Sequence, residues 1–270
     1  MSSTFEYKLA ERLLTVENLN VEYDRPILNN INLKIDNIVR PNMMQGQVVA
    51  LLGPSGIGKT QLFRCIAGLQ KPTAGIVKLN GTEKEVQAGQ VGVVQQHYPL
   101  LNHRTIISNL KLAGHDLKDP KQEALKMLER FGMLEKQNNY PGELSGGQRQ
   151  RVAIMQQLLC STHFLLMDEP FSGLDIIAKD EVSTLIHEVS TADELNTIIL
   201  TTHDIGSAIA IADSIWVLGR DRDEQGNSKG ATIKAMYNLI DMDLAWHDDV
   251  RHQPNYNPLM KELLNLFKTL

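Results

Sequence analysis

The chain has 270 residues, 42% of them hydrophobic and 22% charged, the balance of a globular protein with a sizeable core. Its net charge of −5 argues against nucleic acid as the main partner, since that role calls for a basic surface. No apolar run approaches the roughly 20 residues of a membrane span, and MSSTFEYKLAERLL at the start lacks the apolar core of a signal peptide, so any membrane role is expected to come through a partner.

In chain order, LLTVENLNVEY (13–23) and ILNNINLKI (27–35) alternate apolar and polar residues, which predicts two strands with Ile31, Leu33 and Ile35 on one face. DNIVRPNMMQG (36–46) reads as a loop. QVVALLGPSGIGKTQLFRCIAGLQ (47–70) reads as an apolar strand, a glycine-rich turn and a helix over 61–69. AGIVKLNG (74–81) and QVGVVQQ (90–96) are two further short strands. The pattern then turns helical at 105–113 and 119–131, the second with Asp119 as N-cap, Pro120 at the first helical position and Gly132 after the last turn. Ala124, Met127, Leu128 and Phe131 give that helix an apolar stripe. HFLLMDEP (163–170) returns to a buried strand, followed by a helix over 176–190, a strand over 196–204, a helix over 205–212 and a strand over 213–219. The polar run 220–230 reads as a turn or hairpin loop, and a last helix is expected near 257–270. Strands alternating with helices predict an α/β fold whose mostly parallel sheet is covered on both faces. Cys65 and Cys160 lie in apolar helical contexts without a CxxC neighbour and are expected to be buried free thiols in a reducing compartment.

GPSGIGKT (53–60) fits G-x-x-x-x-G-K-[ST], with a strand before it and a helix after it. Gly53, Gly56 and Gly58 let the backbone curl so that its N–H groups converge on phosphate oxygens. Lys59 is expected to neutralise β- and γ-phosphates, and the Thr60 hydroxyl to ligate Mg²⁺. Asp168 and Glu169 end a buried strand, where ligands bind in an open α/β sheet. Asp168 would hold the metal and Glu169 would polarise an attacking water. Gln96 and His203 also end buried strands. A polar residue there can serve packing alone, but Gln96 is placed to contact Mg²⁺ or the lytic water, and His203 the γ-phosphate. Ser145 and Gln148 in LSGGQ have the spacing of a capping box. Gly146 and Gly147 add a bare backbone at a helix N-terminus, which suits an anion that comes very close. A phosphate loop leaves one face of its nucleotide open, and a second copy of the chain could offer Ser145 and Gly147 to that face.

GPSGIGKT, LSGGQRQR, FLLMDEP, SGLD and TTHD come in the order and spacing of the ATP-binding subunits of ABC transporters, which the chain resembles over roughly residues 12–220. The resemblance implies a phosphate-loop NTPase fold of ABC type, with a mostly parallel sheet, N-terminal antiparallel strands and an α-helical subdomain. It implies Mg²⁺-dependent ATP hydrolysis. Nucleotide contacts would come from Gly53, Pro54, Ser55, Gly56, Ile57, Gly58, Lys59, Thr60 and Gln61, and from Tyr23 as an adenine-stacking aromatic in the second strand. Ser145, Gly146, Gly147, Gln148 and Asp175 would contact the nucleotide of a partner chain. Within a single domain over 1–270, the expected division is a nucleotide-binding core over 1–96 and 159–220, a helical subdomain over 97–158 and a C-terminal extension over 221–270. The implied partners are a second ATPase subunit, an integral membrane permease and an external solute-binding protein, at the cytoplasmic face of a bacterial inner membrane. Gly173 stands where the family usually has Ala, Gln95 where it has an apolar or aromatic residue, and RVAIMQQLL lacks the usual Ala-Arg-Ala. The VLGRD end and short tail are nearest the nitrate, sulfonate and taurine importers. Only residues 61–143 separate the phosphate loop from LSGGQ, too few for the coiled coils of DNA-repair types, while an iron–sulfur cluster assembly ATPase stays open as the alternative.

Overall fold

The apolar run Gln47–Leu52 forms β3, in which every residue is buried. Val48, Ala50 and Leu52 enter one hydrophobic core, whereas Val49 and Leu51 enter another, as the two-residue period of a strand covered on both faces requires. In this computed structural model the described residues are 6–41, 46–95, 99–160, 163–191, 196–222, 225, 228–247 and 249–270.

Before β3 come β1 (Lys8–Glu22) and β2 (Pro26–Val39); after it come α1 (Lys59–Ile66), β4 (Ala74–Leu79) and β5 (Gly92–Val94). The middle of the chain holds α2 (Ile106–Ala113), α3 (Pro120–Arg130) and α4 (Gly146–Cys160). Then follow β6 (Phe164–Asp168), α5 (Ile176–Ser190), β7 (Thr197–Thr202), α6 (Ile205–Ile211), β8 (Ser214–Arg222), β9 (Ser228–Asn238) and α7 (Tyr256–Phe267). Among the described residues the strands form one nine-stranded sheet in the order β4-β1-β2-β9-β8-β3-β7-β6-β5. β3 pairs in parallel with β7 and β8, and β6 with β5 and β7. β1 pairs antiparallel with β2 and β4. The β1–β2 arm and α1 share one core, through Leu14, Leu33, Leu62 and Ile66. Helices α2 to α6 cover the opposite face, through Leu110, Leu128, Ile154, Ile186 and Ile209. Asp119 caps α3 by accepting the Gln122 N–H at 3.0 Å.

Four expectations need correction. Residues 36–39 are strand, because β1 starts at Lys8 and carries the hairpin on to Val39. The polar residues that suggested a loop are satisfied across the pair, Asp36 by Arg12 and Asn37 by Glu11 at 3.0 Å. The run 220–230 contains the end of β8 and the start of β9. The eleven residues of β9 have weak alternation, and they lie antiparallel to β8 while meeting β2 in parallel at Leu28–Ala231. Helix α1 begins at Lys59 rather than 61. Cys160 is exposed at the end of α4, its thiol donating to the Ala113 carbonyl at 3.1 Å. Cys65 is buried, and burial pushes its thiol up to about 11.

A buried polar cluster joins distant parts of the chain. Asp213 accepts the Val48 N–H at 2.6 Å and the Trp246 indole N–H, and lies 3.4 Å from the Arg40 guanidinium, which stacks 4.3 Å above the Trp246 ring. Burial raises the Asp213 carboxyl and lowers Arg40, each opposed by the charge of the other.

Candidate nucleotide site

The turn after β3 is built by its glycines. A side chain at Gly53 would place Cβ 2.8 Å from the Leu218 carbonyl oxygen, so the backbone approach there leaves no room for one. Gly56 and Gly58 have φ of +74° and +121°, the region open to glycine. Helix α1 then starts at Lys59 with no side-chain cap and no acid in its first turn, leaving its first N–H groups for an outside acceptor. Lys59 is only 6% exposed. Its ammonium donates to the carbonyls of Gly53 at 2.8 Å and Pro54 at 3.2 Å and pairs with Glu169 Oε1 at 3.0 Å.

The carboxyl ends of β6 and β7 lie on the same side of the sheet as this loop because β7 is a parallel neighbour of β3 and β6 is a parallel neighbour of β7. Asp168 accepts the Thr201 hydroxyl at 2.6 Å. Glu169 has φ of +49°, a conformation that costs about 1–3 kcal/mol outside glycine. It is held there by its own N–H, which donates to the Thr201 carbonyl at 3.1 Å and hydroxyl at 3.0 Å. Glu169 Oε2 lies 2.8 Å from His203 Nδ1, and the His203 ring is half exposed. Lys59, Glu169 and His203 thus form a continuous polar chain across three strand ends.

Tyr23, Ser55, Gly58, Thr60, Glu169 and Arg220 line one cleft of about 320 Å³. Tyr23 is 59% exposed and its hydroxyl donates to Gln61 Oε1 at 3.1 Å. It stands just past the end of β1, the first strand rather than the second, because the arm's turn lies between the two. Thr60 and Asp168 offer the hard oxygen donors that Mg²⁺ takes when it keeps waters and binds mainly through phosphates. Among the described residues no group of three or more His, Cys, Asp or Glu could hold a metal by itself. Gln96 lies outside the described residues.

The LSGGQ segment is not part of this cleft. Its capping box is formed: the Gln148 N–H donates to Ser145 Oγ at 3.2 Å, and the Ser145 N–H to Gln148 Oε1 at 3.0 Å. A Cβ at Gly146 would meet nothing within 4 Å, and one at Gly147 only Glu181 Oε2 at 3.8 Å. Neither glycine is demanded by packing within its own chain. Asp175 caps α5 by accepting the Ala178 N–H at 2.9 Å and is likewise outside the cleft.

Sequence reasoning missed Arg220, whose guanidinium reaches the Gly56 carbonyl at 2.8 Å. The available signal was an arginine just past a strand predicted to enter the same sheet; its proximity to the loop depends on strand order.

A family model described as ABC transporter matches residues 37–172. The sulfate/thiosulfate import ATP-binding protein CysA of Mesorhizobium japonicum is 36% identical over 222 residues, covering 78% of this chain. The chain spans 62% of that relative's length. The taurine import ATP-binding protein TauB of Yersinia pestis is 36% identical over 211 residues, 76% of this chain and 79% of that protein. Among solved structures, CbiO1 of Clostridium perfringens, part of the ABC transporter complex CbiONQ, superposes with a TM-score of 0.70 at 25% identity. That match covers 93% of this chain and 100% of the other.

Proposed function

The chain belongs to the ABC transporter family of ATP-binding proteins, and from that premise we propose that it binds and hydrolyses ATP to drive solute import through a separate membrane permease. The observation that carries the proposal is the Lys59–Glu169–His203 chain beside an uncapped helix N-terminus, with Glu169 within 3.0 Å of one partner and 2.8 Å of the other. The loop N–H groups and Lys59 bind the phosphates, and Tyr23 stacks on the base. An anion entering the loop competes for Lys59 and draws it from Glu169. Glu169 then accepts a proton from the attacking water. His203 orients that carboxylate through Nδ1 and keeps Nε2 for the γ-phosphate. Thr60 and Asp168, with Gln96, would hold Mg²⁺, which when bound offsets phosphate charge.

The open space above Gly146 and Gly147 favours a head-to-tail pair of chains, in which Ser145, Gly146, Gly147, Gln148 and Asp175 of one meet the nucleotide of the other. No helix among the described residues is long and apolar enough to cross a membrane. The chain's likeness to import ATP-binding proteins supports a peripheral place at the cytoplasmic face of a bacterial inner membrane, against a permease served by an external solute-binding protein. The relatives' names favour an oxyanion or sulfonate as cargo, and import over iron–sulfur assembly. The test is a pair of variants. Lys59→Ala should lose ATP binding. Glu169→Gln should retain binding, lose on the order of 10²–10⁴ in hydrolysis rate, and accumulate as a dimer with Mg²⁺ and ATP. Normal turnover by either variant refutes the assignment.

A further inference from the structure

β3 and β8 are parallel neighbours with Leu52 opposite Val217. The residues beyond those positions are therefore side by side, the phosphate loop after β3 and Leu218–Arg220 after Val217. Arg220 Nη2 donates to the Gly56 carbonyl at 2.8 Å and the Ile57 carbonyl at 3.3 Å. Its side chain also lines the nucleotide cleft. Its Nε is buried without a hydrogen-bond partner. An arginine with no task would turn that donor to water, because leaving it buried and unpaired costs free energy. Here the guanidinium is held against the loop instead.

The consequence follows from peptide geometry. In a trans peptide the N–H points opposite to the C=O of the same unit. Drawing the Ile57 carbonyl toward Arg220 turns the Gly58 N–H the other way, away from the guanidinium. Gly58 has the freedom to accept that plane, at φ of +121°. We infer that Arg220 is a positioning residue of the nucleotide site, holding the carbonyls of Gly56 and Ile57 outward so that the Gly58 N–H is already arranged for a di- or triphosphate. This rests on the nucleotide reading of the loop. Both bonds come from Nη2, which the rigid planar guanidinium holds at a fixed distance from the buried Nε, whereas an ammonium is a point charge on a flexible stem.

The test uses the full chain with Arg220→Met, which keeps the stem and removes the donors, and Arg220→Lys, which keeps the charge. The loop is expected to cradle the α- and β-phosphates. Arg220→Met should therefore weaken ATP and ADP alike, by about tenfold, the effect of losing a charged hydrogen bond. KM for ATP should rise while kcat at saturation stays within about twofold. The nucleotide-free melting temperature should hold, and Arg220→Lys should recover part of the affinity. Wild-type affinity for both nucleotides in Arg220→Met overturns the inference, as does a fall in kcat with KM unchanged. If Arg220→Met fails to fold, Arg220→Lys decides: weaker nucleotide binding at unchanged melting temperature supports the role, and wild-type binding refutes it. Lys59→Ala run alongside separates the two readings. If it binds ATP normally, the nucleotide site itself is wrong. If it loses ATP while Arg220→Met does not, only the role of Arg220 falls.

Discussion

Gly147 is the second residue of α4, and its own fold gives no reason for it to be glycine. A Cβ there has only Glu181 Oε2 as a contact, at 3.8 Å, an ordinary van der Waals distance. Glycine within a helix is about 0.5–1 kcal/mol less favourable than alanine. Gly147→Ala should therefore stabilise the nucleotide-free chain by up to that amount. In a chain of this size the melting temperature should rise by about 1–4 °C. Hydrolysis should move the other way, because the added methyl group occupies the surface offered to a partner's γ-phosphate. Gly147→Trp should abolish hydrolysis in the otherwise wild-type chain and, combined with Glu169→Gln, should abolish the nucleotide-dependent dimer. The assays are differential scanning fluorimetry on the isolated chain and steady-state ATPase on the complex assembled with its permease. A lower melting temperature in Gly147→Ala would show that the glycine serves its own chain. Full-rate hydrolysis by Gly147→Trp in the complex would refute the contact in trans.

Tyr23→Ala should weaken nucleotide binding by about 1–3 kcal/mol, the worth of a stacking aromatic. It should leave the melting temperature nearly unchanged, because Tyr23 is 59% exposed and the bond its hydroxyl makes, to Gln61, is on the surface; the reverse ordering in parallel titrations and melts refutes the stacking role. Asp204 caps α6 through the Ser207 N–H at 2.8 Å and pairs with Lys179. Burial works against its charge, but those partners hold the carboxyl below its ordinary value. A depressed carboxyl contributes stability above its unfolded-state pKa and loses it as pH falls through the folded-state value. Asp204→Ala should accordingly cost about 0.5–2 kcal/mol at neutral pH, and the gap to wild type should narrow below the carboxylate range; a pH-independent gap in melts from pH 7 to 3 contradicts the linkage.

The loop, the strand-end acids and LSGGQ were legible because each is a contiguous run whose backbone needs dictate its residues. Gly53, Gly56 and Gly58 answer to close approach and positive φ within six residues of chain. Asp119 and Ser145 announced their helices because a cap acts over three residues. What stayed hidden depends on partners far along the sequence. Asp36 and Asn37 suggested a loop when read alone; Arg12 and Glu11 make them strand. The β9 sequence SKGATIKAMYN has no strong period of its own and is a strand because β8 and β2 flank it. Arg220 reaches the loop only through the register of β8 on β3. The expectation for Cys160 failed because its neighbours Leu158 and Leu159 pack on the core while Cys160, the last residue of α4, lies on the outward side.

The place of β9 sets a timetable for the molecule's manufacture. It is the strand through which the N-terminal arm joins the rest of the sheet, and the residue it sets opposite Leu28 is Ala231. A ribosome adding ~5–20 residues per second needs roughly 10–40 s to travel between those two positions. Throughout that interval one edge of β2 has no strand to pair with, and an open edge is a template for pairing with another nascent chain. The exposed polar and charged residues along that strand are Asn30, Asn32 and Lys34, with Val39 also exposed at its end. Polar and charged side chains of this kind blunt an edge against mispairing. They leave that edge blunted until β9, which ends at Asn238, has emerged to close the sheet.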